Sequence, residues 1–99
     1  MPVLSLNLIK KLMMDKIEQF KKVKEIVAVY LPEDVPKEAI SIESNLINEL
    51  NINSANMVDI VLDVEDAFGI RLENSDMDQM HTIEDALDII NQKVVNKNN

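Results

Sequence analysis

Apolar residues recur at intervals of three and four in three parts of the chain, the spacing of a helix with one buried face. In the first part they are Met13, Ile17, Phe20, Val23, Val27 and Leu31. Pro32 follows, and the residue before a proline disfavours helical geometry. The pattern therefore predicts a first long helix over residues 13–31. Residues 1–12 are either an N-terminal extension or an early turn of the same helix.

A long connection over residues 33–45 separates this helix from the second. Its apolar residues Val35, Ile40 and Ile42 are expected to point inward. Residues 46–50 then predict a short turn whose two leucines hold the connection against the core. Asn51 follows, a residue type that tolerates the left-handed conformation of a tight loop.

The second periodic part begins near Asn53 and ends at Gly69, a residue type that commonly terminates helices. One apolar stripe of this helix is predicted to be core; it consists of Ile60, Val61, Val64 and Phe68. A different face carries Val58 and Leu62 among carboxylates. That composition fits either a transient protein contact or two side chains partly covered by neighbouring helices.

Residues 76–80 predict a short third helix, and Thr82 with Asp85 three positions later predicts the start of the last. The inner face of the last helix is formed by Ile83, Ala86, Leu87 and Ile90. The prediction is an all-α fold, a small four-helix bundle of three longer helices and one short helix. The bundle is expected to occupy residues 13–95, with residues 96–99 as a frayed tail.

The chain has 99 residues, a net charge of −8 and no cysteine, which excludes disulfides and thiolate chemistry. The charge is uneven: residues 1–31 carry +3, whereas residues 32–88 carry −13. This acidity disfavours nucleic acid, and it fits either a basic protein partner or solubility alone. Without a secretion signal or a bilayer-spanning apolar run, the sequence predicts a cytoplasmic protein with no transmembrane segment.

Candidate catalytic groups are scarce. His81 is the only histidine and has no predicted partner for acid–base or metal chemistry. A single glycine leaves no phosphate-cradling loop. The sequence therefore predicts a protein that is not an enzyme and holds no metal. Ser54 remains as the candidate site, because it lies at the start of an acidic helix, where unpaired N–H groups favour a phosphate.

From residue 46 to residue 90 the chain resembles the acyl carrier protein family. The matching pieces lie in one register: Leu50, Ser54, Val58-Asp59, Glu65-Asp66, Phe68-Gly69-Ile70 and Thr82-Ile83-Glu84-Asp85-Ala86. In that family a serine hydroxyl carries 4′-phosphopantetheine, installed from coenzyme A by a phosphopantetheinyl transferase. The resemblance places the attachment at Ser54. It implies a cargo held as an acyl or related thioester in fatty acid, lipid or polyketide biosynthesis.

The resemblance also implies two groups of residues on the second helix. The partner-facing group comprises Val58, Asp59, Leu62 and Asp66. The group lining an interior that shelters an acyl chain comprises Met57, Val61, Val64 and Phe68. The implied partners are the transferase and acyl-transferring, ligase or synthase enzymes with basic surfaces, and a monomer is the state typical of the family.

Two residues beside the serine depart from the family pattern. Asn53 replaces an aspartate and Ala55 replaces a leucine. Asparagine caps a helix about as well as aspartate, so the fold is not affected. The departures favour a specialised carrier. The alternative is an unmodified carrier-like module that docks a basic partner through the same helix.

Overall fold

The computed structural model describes residues 6–97, with side chains described for residues 16–95. Within that part of the chain there are four α-helices: α1 (Leu6–Ala28), α2 (Ser54–Phe68), α3 (Asn74–Asp78) and α4 (Ile83–Lys97). A 3₁₀ turn spans Lys37–Ala39, and residues 6–97 include no strand. The predicted all-α bundle of three longer helices and one short helix is confirmed.

The first helix is displaced towards the N-terminus relative to the prediction. It begins at Leu6, so residues 6–12 are helical, while residues 1–5 lie outside the described part of the chain. It ends at Ala28 rather than at residue 31. The N–H groups of Tyr30 and Leu31 bond to carbonyls three residues back, at 3.0 and 3.3 Å. This tightened turn precedes Pro32, which removes Leu31 from helical geometry.

The core forms where α1 packs on α2 and α4. Its most deeply buried side chains come from every long helix and from the turn that precedes α2; they are Val23, Val27, Leu46, Leu50, Ile52, Ile60, Val64, Ile83 and Ile90. The predicted anchoring of the turn by its two leucines is confirmed, since both are 1% exposed. Asn51 has the expected positive φ, at 57°.

One predicted anchor of the connection is wrong. Ile40 is buried and Val35 half-buried, but Ile42 is 45% exposed. The N–H of Ser44 donates to the carbonyl of Ser41 at 3.1 Å, which makes Ile42 a central residue of a turn. Turns in connecting segments run over the protein surface, and Ile42 lies there with its turn.

The connection is fastened to the start of α4. The N–H groups of Ile83 and Glu84 donate to the carbonyls of Ser44 and Ile42 at 3.1 and 2.8 Å, and Leu46 donates to His81 at 2.9 Å. The first N–H groups of a helix have no partner within it. The connection therefore satisfies donors that α4 leaves open.

Carboxylate and hydroxyl side chains accept backbone N–H groups at the starts of α3 and α4. A side-chain oxygen of Asp76 accepts the N–H of Glu73 at 2.9 Å, so α3 starts at Asn74, two residues before the prediction. Thr82 and Asp85 bond reciprocally, each side chain to the other's N–H at 3.1 Å, which confirms the predicted cap. Helix α4 continues to Lys97, into the segment expected to fray; residues 98–99 lie outside the described part.

Candidate functional site

Ser54 is the first residue of α2, and its neighbour caps the helix. The side-chain oxygen of Asn53 accepts the N–H of Asn56 at 2.8 Å, and the backbone of Asn53 is extended, as an N-cap requires. Ser54 itself is exposed. Because Asn53 supplies the cap, the hydroxyl of Ser54 is not needed to start the helix.

The first turn of α2 suits a phosphate attached to this hydroxyl. The described residues supply no acceptor for the N–H groups of Ser54 and Ala55, which lie at the positive end of a 15-residue helix. The first turn carries no acidic side chain. The residues present therefore fit 4′-phosphopantetheine, whose phosphodiester would meet N–H groups without an opposing carboxylate beside them.

Ser54 follows closely on a buried, hydrogen-bonded turn. Ile52 is 1% exposed, and its N–H donates to the carbonyl of Leu46 at 3.1 Å. Leu46 is in turn bonded to His81 at the start of α4. Ser54 thus stands two residues beyond a buried, hydrogen-bonded anchor.

The four carboxylates of α2 have different roles. Asp63 accepts the hydroxyl of Tyr30 at 2.6 Å, and Glu65 accepts the N–H of Leu72 at 2.7 Å. These two are occupied in holding α1 and the chain after α2. Asp59 and Asp66 are exposed, and the described residues offer neither of them a hydrogen-bond or ion-pair partner. Of the four, only these two are exposed and without a partner among the described residues, and both belong to the predicted partner-facing group.

The two apolar members of that group are also on the surface. Val58 is 49% exposed and Leu62 is 53% exposed, so the described helices do not cover them. Spacings of three and four bring Val58, Leu62 and Asp66 onto neighbouring turns of one helix side, with Asp59 beside them. The structure thus brings all four residues to the solvent-facing side of α2.

The contact between Tyr30 and Asp63 was not anticipated. The hydrogen bond to Asp63, with burial and the negative charges of Asp63 and Asp59, raises the pKa of the Tyr30 phenol to about 12. Local spacing carries no signal for it, because the partners are 33 residues apart in the sequence. The bond ties the turn that follows α1 to the middle of α2.

The predicted interior group divides into two pairs. Val61 and Val64 are buried at 5% and 0% exposure, whereas Met57 and Phe68 are half-buried against the core. The ammonium of Lys22 lies 5.4 Å from the centre of the Phe68 ring. A groove of about 660 Å³ between α1 and α4 and a smaller one between α1 and α2 are lined by other residues. The four side chains therefore pack as core in this conformation.

His81 is exposed and contributes its backbone rather than its ring to described hydrogen bonds. Among the described side chains, those of residues 16–95, no three histidine, aspartate or glutamate residues are grouped as a metal site would require. Over the same residues no helix combines the length and the apolar character needed to cross a bilayer.

Comparison with known proteins identifies the relationship. Residues 21–90 match the family model of the phosphopantetheine attachment site. An acyl carrier protein of Thermotoga maritima is 32% identical over 82 residues, covering 83% of this chain and 99% of that protein. One of Coprothermobacter proteolyticus is 38% identical over 63 residues, 64% of this chain and 77% of that protein. The chain therefore belongs to the acyl carrier protein family, whose members hold 4′-phosphopantetheine covalently and act as carriers rather than enzymes.

Proposed function

We propose that this chain carries acyl or related thioester intermediates on a 4′-phosphopantetheine arm attached to the hydroxyl of Ser54. The observation that carries the proposal is the division of labour at the start of α2. Asn53 makes the capping bond to Asn56, and Ser54 is left exposed at the first helical position. An oxygen so placed is accessible to an incoming enzyme without loss of the helix.

The chemistry asked of the chain is small. The hydroxyl of Ser54 forms a bond to phosphorus and loses its proton to a base of the transferase, while the nucleotide part of coenzyme A leaves. The N–H groups of the first turn favour the resulting phosphodiester charge. The bound arm supplies a terminal thiol that holds cargo as a thioester. The protein contributes position and surface.

The exposed side of α2 is proposed to present the cargo to partner enzymes. Asp59 and Asp66 offer charge to lysines and arginines, and Val58 and Leu62 offer apolar contact between them. The wider acidic region, −13 over residues 32–88, speeds encounters with basic surfaces. Partners are therefore the transferase and ligase, synthase or acyl-transferring enzymes with basic docking faces.

We further propose that Met57, Val61, Val64 and Phe68 shelter an apolar cargo. Because Val61 and Val64 are buried, an acyl chain can enter only if α2 moves slightly away from its neighbours. The free energy gained by burying the apolar cargo then offsets the cost of that movement. A long-chain acyl form should unfold at a higher temperature than the form with the bare arm. Equal melting temperatures would count against an internal cargo site.

The attachment is tested by intact mass after incubation with coenzyme A and a promiscuous phosphopantetheinyl transferase. The wild-type protein should gain one phosphopantetheine, and Ser54→Ala should gain none. Ser75→Ala is the matched control, because Ser75 is also exposed in a first helical turn, that of α3, and its loss should not affect loading. Absence of a mass gain with several transferases would favour the unmodified module that docks a basic partner.

The docking side is tested by charge reversal. Asp59→Lys with Asp66→Lys should weaken transferase binding and flatten its dependence on salt, because two outward carboxylates are lost. Glu33→Lys with Glu38→Lys is the control, since both residues are exposed in the connection and the pair changes the net charge by the same amount. If the control and the double variant weaken binding equally, net charge rather than the α2 surface governs recognition.

The setting proposed for the carrier is a monomer in the cytoplasm, serving fatty acid, lipid or polyketide assembly. Sedimentation at increasing protein concentration tests the first part. A stable dimer at low concentration would contradict it.

A further inference from the structure

A shallow groove runs between the end of α1 and the middle of α2. It has a volume of about 480 Å³ and is lined by Lys22, Glu25, Ile26, Val29, Asp63 and Ala67. Val29 is 77% exposed, more than any other large hydrophobic side chain with a described surface. The fold does not require this exposure, because the packing of α1 is supplied by Val23 and Val27.

The charges around the groove select one kind of occupant. Its apolar floor is bordered by Glu25 on α1 and by Asp63 on α2, and the exposed carboxylates Asp59 and Asp66 lie on the same helix. Its one basic lining residue, Lys22, holds its ammonium 5.4 Å from the centre of the Phe68 ring. An apolar side chain carried on a basic protein surface is complementary to this arrangement.

The groove and Ser54 can be covered by one partner. Asp63 is nine residues beyond Ser54, which is two and a half turns and roughly 13 Å of helix. The two residues therefore lie on opposite sides of α2, and Leu62 lies between them on the outward side. A standard interface covers roughly 800 Å² of each protein, which is wide enough to span α2 from one side to the other.

We infer that this groove, with Val29 at its edge, is part of the surface that receives the phosphopantetheinyl transferase. The inference rests on the proposed attachment at Ser54. The transferase meets the protein before the arm exists, so its recognition comes from the protein surface alone. Enzymes that act later can bind the arm and its cargo as well. Of the partners, the transferase therefore gains most from contacts with the protein outside the solvent-facing side of α2.

The experiment measures steady-state loading of the full-length protein by the transferase with coenzyme A. Val29→Asn should raise KM for the carrier roughly fivefold and leave kcat unchanged, because an interface contact is lost while the reacting hydroxyl is untouched. Val29→Ile should restore the wild-type KM. Lys22→Gln should lower KM, because it removes the one positive charge that opposes a basic partner.

Val95→Asn is the matched control, since Val95 is 58% exposed on α4 and distant from the groove in the sequence. Circular dichroism of each variant verifies the helices. Equal KM values for Val29→Asn and Val95→Asn, with normal loading of Ser54, would overturn this inference alone. No loading of the wild-type protein would overturn the proposed function and the inference together.

Discussion

The bond between Tyr30 and Asp63 gives a prediction that a single spectroscopic signal can test. The phenol donates to the carboxylate at 2.6 Å, and this bond is the largest cause that raises the pKa of Tyr30 from 10.0 to about 12. Asp63→Asn replaces the charged acceptor with a neutral amide. We expect the phenol pKa to fall most of the way towards its ordinary value, because the charge and the strongest bond are removed together.

The size of the effect is large at one chosen pH. At about pH 11 a phenol with a pKa of 12 is roughly one tenth ionised, whereas one with a pKa of 10 is roughly nine tenths ionised. The chain has one tyrosine and no tryptophan, so phenolate absorbance in the ultraviolet reports Tyr30 alone. Asp63→Asn should therefore show several times the wild-type phenolate signal at that pH.

The controls use the neighbouring carboxylates. Asp59→Asn should lower the phenol pKa slightly, because Asp59 acts on Tyr30 through its charge only. Asp66→Asn should leave it unchanged. Circular dichroism in the same samples limits the titration to the pH range in which the helices persist. A wild-type pKa near 10 while the protein is folded would refute the bond.

The same shift predicts the sign of a stability effect. The folded pKa lies above the unfolded one, so the contribution of Tyr30 to stability is present below about pH 10 and is lost as the pH rises towards 12. Urea unfolding at a series of alkaline pH values should show the wild-type advantage over Asp63→Asn shrinking across that range.

Three further predictions concern the core, a cap and an ion pair. Ile90→Ala should lower the free energy of unfolding by about 2–5 kcal/mol, because Ile90 is fully buried, whereas Val95→Ala on the same helix should change it by less than about 0.5 kcal/mol; urea denaturation measures both. Thr82→Ala should cost about 1 kcal/mol through loss of the cap on α4, seen as a lower urea midpoint; an unchanged midpoint would contradict the cap. The N–H of Glu73, and then Lys93 at 3.0 Å, lower the pKa of Asp76 from 3.8. The contribution of Asp76 to stability is therefore present above about pH 4 and lost in acid. The difference in unfolding free energy between wild type and Asp76→Asn should disappear as the pH falls through the folded pKa of Asp76.

Periodic and capping signals predicted most of the fold because they act over a few residues. The ends of α2 followed from Asn53 and Gly69, and the start of α4 from Thr82 and Asp85. The end of α1 was placed three residues late, since apolar spacing continues to Leu31 after the backbone has left the helix. Spacing reports which side chains share a face and does not report where hydrogen bonding changes.

The site was predictable where it depends on exposure and not where it depends on distant pairing. The exposed carboxylates Asp59 and Asp66 were named from the sequence, and the structure leaves both at the surface. Asp63 looked equivalent to them in the sequence. Its bond to Tyr30 joins residues far apart in the chain, and only the packing of α1 on α2 brings them together.

The hydrogen bonds that join the connection to α4 limit the movement of Ser54. The N–H groups of Leu46, Ile83 and Glu84 donate to carbonyls more than 30 residues away in the sequence. Ile52, just before α2, donates to Leu46 and so joins the same hydrogen-bond network. Amides held in one such network exchange with solvent through a shared opening, so their hydrogen-exchange rates should fall into one cooperative unit. Ser54 stands on that unit and cannot swing independently of it. Under the proposed attachment at Ser54, the reach between one partner enzyme and the next comes from the rotatable bonds of the arm, and the serine itself stays in place.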